Sequence, residues 1–127
     1  MRVCGIAALL LVVLGGAPLE ARAPSTTPGE EEPTFIGEVV ALYCYLRDGR
    51  FGRGWDHADT GKACVRRGSP LALKVDDHLY ILRVEHHHAQ QRQLMDWLGR
   101  TVQVSGALTM ERGQLYLLVS HAERVQP

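Results

Sequence analysis

Apolar residues fall along this chain mostly in short runs separated by polar and glycine-rich breaks, and the runs set out an order of elements. The first, Phe35 to Leu46 (FIGEVVALYCYL), is apolar on both faces with only Gly37 and Glu38 interrupting. That is the pattern of a strand buried on both sides, and Gly37 is where such a strand can bend from one sheet into another. Cys44 lies on the same side as Val40, Leu42 and Leu46 and is expected to point inward at the strand's end. A polar, glycine-rich stretch from Arg47 to Ser69 follows, with too few apolar residues for a strand. It reads as an irregular loop with one short helical turn around Asp59 to Arg67, capped by Asp59 or Thr60. Leu71–Val75 and Leu79–Val84 then alternate on either side of Asp76-Asp77-His78, which predicts a β-hairpin.

After Glu85 the period changes. In HHHAQQRQLMDWLG the residues Gln91, Leu94, Met95 and Leu98 share one helical side, and Gly99 is a good C-terminal stop. In RTVQVSGALTM the residues Val102, Val104, Gly106, Leu108 and Met110 alternate with polar or small ones, a half-buried strand with a glycine bend. Glu111-Arg112-Gly113 turns the chain into QLYLLVSHAERV, the last strand. Five strands with one short helix between the third and fourth is the plan of an OB-fold-like, all-β Greek-key barrel, with a long loop after strand 1.

The N-terminus changes the compartment. Met1-Arg2 and an apolar run of roughly a dozen residues have the form of a signal peptide and are too short to span a bilayer comfortably. Ala21-Arg22-Ala23 is an A-x-A pattern, which predicts cleavage after Ala23, with Ala21 and Ala17 as alternatives. The expected organisation is a signal peptide over 1–23, a flexible acidic leader over 24–34 and an OB-fold-like domain over 35–127. The protein is thus expected in the periplasm or secreted, with no transmembrane segment in the mature chain. With 46% hydrophobic residues, 22% charged residues and a net charge of zero, the composition is ordinary for a globular domain, and net charge offers no bulk attraction to nucleic acid or membrane.

Of three cysteines, Cys4 leaves with the signal, and Cys44 and Cys64 remain in an exported chain. Oxidising compartments favour their pairing, and closing a loop of about twenty residues stabilises by roughly 3 kcal/mol in the chain-entropy model. A Cys44–Cys64 disulfide pinning the loop is the expectation. Thiolate ligation of zinc or copper is the alternative, with His57 and a fourth ligand such as solvent, Asp59 or another histidine. Metal and disulfide exclude each other at these sulfurs. The run His86-His87-His88 is a second possible metal locus, of which His86 and His88 can face one ion if the segment is extended.

The same stretch resembles a group of small exported bacterial OB-fold proteins of unknown function. Their domain opens with G-E-V-V-x-x-x-C-Y-L, and their loop carries H-x-x-C-x-x-x-C-x-x-x-G-x-P. The matching residues are Gly37, Glu38, Val39, Val40, Cys44, Tyr45 and Leu46, then His57, Cys64, Gly68 and Pro70. Thr60 stands where the pattern has its first loop cysteine, which leaves any four-ligand Cys/His site one ligand short. The resemblance spans the barrel and implies its fold and export; it brings no activity.

Phe51 and Trp55 lie among Arg47, Arg50, Arg53, Lys62, Arg66 and Arg67, against Asp48, Asp56 and Asp59. Aromatics interleaved with arginines on this loop are how OB domains hold single-stranded nucleic acid or sugars; export disfavours nucleic acid. Trp55 can equally fold back to give the loop its own small core. No catalytic motif is present: there is no G-x-S-x-G, H-E-x-x-H or phosphate loop. The sequence therefore points to a non-enzymatic binding module without a cofactor. It would present loop residues Arg50, Phe51, Arg53, Trp55 and His57 to an envelope protein or a small anionic or glycan ligand. The alternative is a zinc- or copper-binding protein using Cys44, His57, Cys64, His86 and His88.

Overall fold

A computed structural model of the chain describes residues 15–16, 31–85 and 88–126. The expected signal segment apart from residues 15–16, most of the acidic leader, and His86 and His87 lie outside the described residues. The fold belongs to the unit that begins at Glu31.

Five strands close into a barrel in the order β1-β2-β3-β5-β4. They are β1 Thr34–Ala41, β2 Leu71–Val75, β3 His78–Arg83, β4 Thr101–Glu111 and β5 Gln114–Arg124. All neighbouring pairs are antiparallel except β3 and β5, which run parallel through Ile81↔Tyr116 to Arg83↔Leu118. This is the five-stranded OB-like barrel that the element order predicts.

β1 joins the two halves. Its first part pairs with β4, from Thr34↔Ser105 to Glu38↔Thr101, and its second part with β2, from Glu38↔Lys74 to Ala41↔Leu71. The apolar character of both its faces has a separate cause on each side. Val39 and Ala41 point into the barrel beside Leu73, Val102, Val104 and Leu117. Val40 packs on the outside with Leu42 and Ala72, and Tyr45 and Ile81 cover that cluster.

Between β3 and β4 lies α3, His88–Asp96. Leu94 and Leu98, both at most 2% exposed, plug the barrel from this side, as the helical period predicts. The long β4–β5 hairpin is different. Val102, Val104 and Gly106 are buried, but Leu108 and Met110 are exposed. The ladder shifts register at Ser105/Gly106, and a Cβ on Gly106 would collide with the Leu118 carbonyl oxygen. Beyond this bulge the alternating residues of β4 turn to solvent, while Leu117 and Val119 of its partner β5 stay in the core.

Two expectations are corrected. Strand β1 ends at Ala41 rather than Leu46, and the segment expected as an irregular loop is mostly helical. α1 spans Leu42–Asp48, 3-10 turns span Gly49–Gly52 and Trp55–His57, and α2 spans Ala58–Arg66. Among the described residues there are thus three α-helices instead of one. The reason lies in the ladder: β1 leaves β4 at Glu38↔Thr101 and β2 at Ala41↔Leu71, so residues from Leu42 onward have no partner strand. They satisfy their backbone groups locally.

Candidate functional site in the insert after the first strand

The helical insert is tied to the barrel by polar contacts at its two ends. The Leu42 amide donates to the Pro70 carbonyl at 3.0 Å, and the Tyr43 amide donates to Ser69 Oγ at 3.0 Å. These are the free N–H groups of the first turn of α1, satisfied from across the insert. Ser69, only 4% exposed, donates its own amide to the Cys64 carbonyl at 3.1 Å, so the entry of α1 and the exit of α2 are fastened together. In the middle, Glu38 of β1 accepts from Arg53 Nε at 3.0 Å and from the Gly54 amide at 3.1 Å. Gly61 on α2 faces Leu98 and Ala41 without a side chain between.

This packing gathers the sulfur, imidazole and carboxylate groups. Cys44 on α1, Asp48 one turn later and His57 just before α2 place ligand-type atoms within 4.8 Å of one another. Cys64 on α2 comes within 2.6 Å of Cys44. Both cysteines are free thiols, so the expected disulfide is not formed in this structure, although the two residues it requires are in contact. Cys44 is buried as expected. Burial, reinforced by the contact with Cys64, pushes its thiol pKa up.

The cluster has a cationic neighbour in Arg47. Arg47 grips Asp48 through two hydrogen bonds of 2.8 Å and reaches Cys44 Sγ at 3.8 Å. The hydrogen bonding to Arg47 holds the Asp48 carboxyl below the usual carboxylate range. His57 Nε2 is buried and has no hydrogen-bond partner among the described residues. Thiolates, imidazole and carboxylate together are a donor set suited to zinc or copper; Arg47 competes for the carboxylate.

Of the residues singled out in the sequence for a metal, the structure brings Cys44 and His57 together and sets Cys64 against Cys44. It adds Asp48 in place of Asp59, which is exposed on α2. His88 is exposed at the start of α3 and takes no part in this cluster. His78 stacks on Tyr80, and His121 lies beside Glu123 on β5. Asp48 was legible only in helical terms, because Cys44 and Asp48 are an i, i+4 pair that a strand reading places far apart.

The outer surface of the insert is aromatic and cationic. Phe51 is 69% exposed and Trp55 52% exposed. The Arg50 guanidinium lies 4.8 Å from the Phe51 ring centroid. Arg53 does not stand free: it is paired with Glu38. Lys62 is likewise paired, with Asp96. Three members of this surface were missed. Tyr43 and Leu46, read as strand residues, are exposed on α1, and Arg100, from the connection between α3 and β4, stacks 3.7 Å over the Trp55 ring. Trp55 is thus covered on one ring face by a residue from outside the loop.

Among the described residues no helix is long and apolar enough to cross a membrane. No protein-family model matches the chain, and searches of curated proteins and of solved structures returned no match.

Proposed function

We propose that this is an exported, non-enzymatic OB-like binding module. Its helical insert, stapled by a Cys44–Cys64 disulfide in the oxidising envelope, presents Arg50, Phe51 and Trp55 to an anionic or glycan ligand. The observation that carries the reading is the exposure of Phe51 and Trp55, each with an arginine on its ring. Large aromatics held in the open by cation–π contacts are rigid stacking platforms, and they lie on the helical insert between β1 and β2. Export rests on the N-terminal sequence, and the staple on the meeting of two cysteines from α1 and α2 in such a compartment. Arg53 and His57 act as supports, the first by tying the insert to Glu38 and the second from within the cluster. The test is retention on an immobilised acidic polysaccharide. The wild type is retained and F51A is released at lower salt; equal retention of the two overturns the reading.

A second reading is favoured by the Cys44/Asp48/His57 cluster. With both thiols reduced, Cys44, Cys64 and His57 with Asp48 would hold one zinc or copper ion. The unpartnered His57 Nε2 supports it, and the Arg47–Asp48 pair weighs against it. Free thiols and a bound metal in protein prepared from the envelope would select this reading.

A further inference from the structure

Where β4 begins and β5 ends, the surface folds into a pocket of about 370 Å³ lined by Gly99, Arg100, Thr101, Arg124, Val125 and Gln126. Two of these residues are arginines and none is acidic. Among the described residues, neither Arg100 nor Arg124 has a carboxylate within ion-pair distance. That sets them apart from Arg47, Arg53 and Arg83, each of which is paired with an acid. Arg100 is also held in place: its guanidinium stacks on Trp55, and its Nε is buried with no hydrogen-bond partner.

The pocket walls are built on rigid elements. Arg124 faces Val102 across the β4–β5 ladder, and the Val125 amide donates to the Thr101 carbonyl at 3.1 Å, which fixes the strand end beyond it. The Arg100 carbonyl accepts from the Val39 amide at 3.1 Å, which fixes the opposite wall to β1. Two guanidinium groups in one cleft, neither with a carboxylate partner among the described residues, favour an anion. The guanidinium fork matches the paired oxygens of carboxylate and phosphate groups.

We propose that this pocket is an oxyanion site, taking a phosphate or carboxylate group of the ligand whose remaining part lies over Trp55 and Phe51. The inference deepens the binding-module reading by naming the ligand chemistry, and it rests on that reading only for the placement of the rest of the ligand. Arg100 serves both parts: it carries one donor fork into the pocket and covers one face of Trp55.

The test is a titration of the purified protein with inorganic phosphate and, separately, with glucuronate, followed by NMR of backbone amides and arginine Nε–Hε groups. The expected result is saturable shifts concentrated at Arg100, Arg124 and Thr101 with at least one of the two. Phosphate alone identifies a phosphoryl ligand and glucuronate alone a carboxylate ligand. R124Q is expected to weaken binding about tenfold with the barrel amides unmoved, and R100K, which keeps the charge but loses the fork, to weaken it as well. Shifts spread evenly over exposed arginines such as Arg66 and Arg67, no saturation with either probe, or R124Q binding like the wild type would overturn the proposal. F51A separates the two ideas. If F51A is retained on polysaccharide like the wild type while phosphate still saturates the pocket, the surface reading fails and the pocket stands. The reverse pattern fails the pocket alone.

Discussion

The backbone of Gly99 lies directly against that of Gly54: a Cβ on Gly99 would collide with the Gly54 carbonyl oxygen. Gly99 ends the α3 segment at a φ of +77° and donates its amide to the Val39 carbonyl at 2.8 Å. One residue therefore joins the helical plug, strand β1 and the insert.

Gly99→Ala should be among the most damaging small substitutions. The positive φ and the contact with Gly54 each resist a side chain, and together they are expected to cost at least about 2 kcal/mol. The insert should also loosen, which Trp55 fluorescence would report. Urea unfolding checks the first and emission at native conditions the second. Wild-type values for both would show that the insert is not docked through this contact.

Leu98→Ala should destabilise by about 2–5 kcal/mol, the range for truncating a fully buried leucine, because Leu98 seals the barrel and also receives Gly61 of α2. Denaturant midpoints measure it. A change below about 1 kcal/mol would mean that the helix is not the plug.

The barrel was legible because its determinants are local. Alternation and Asp76-Asp77 in the turn fix the β2–β3 hairpin, and Leu94 and Leu98 fix the buried side of α3. The end of β1 was not legible, since the residues Tyr43 to Leu46 carry β-type side chains, and what makes them helical is the loss of both partner strands at Glu38 and Ala41. That is a tertiary fact, and it overrides propensity. The candidate site was half legible for the same reason. Cys44, His57 and Cys64 stand out by type, whereas Asp48 and Arg47 join them only on a helix, and Arg100 and Arg124 reach their pocket only through barrel closure. The emergence of Leu108 and Met110 into solvent depends on where the bulge at Gly106 falls.

Phe51→Ala and Arg50→Ala should leave stability within about 0.5 kcal/mol, as expected for exposed positions, while lowering retention on acidic polysaccharide. Thermal melts beside retention measurements check the pair. A large loss of stability would make Phe51 a structural residue of the insert instead of a ligand platform.

The reduced protein should weaken in alkali. The folded-state pKa of Cys44 lies above that of an unfolded thiol because the folded protein buries it. The neutral thiol therefore contributes its full stability below the unfolded value of about 8.5. That contribution is lost as pH rises from there through the raised folded value. Melting temperatures of reduced protein should fall over this window more than those of the disulfide-closed form, and parallel profiles would contradict the assignment.

The measurement that tests the central claim most directly is a thiol count on protein purified from the cell envelope, denatured without reductant, together with metal analysis of the same sample. The stapled insert predicts no free thiol and no bound metal. Two free thiols with one equivalent of zinc or copper would contradict it and make Cys44, Cys64, His57 and Asp48 a metal centre.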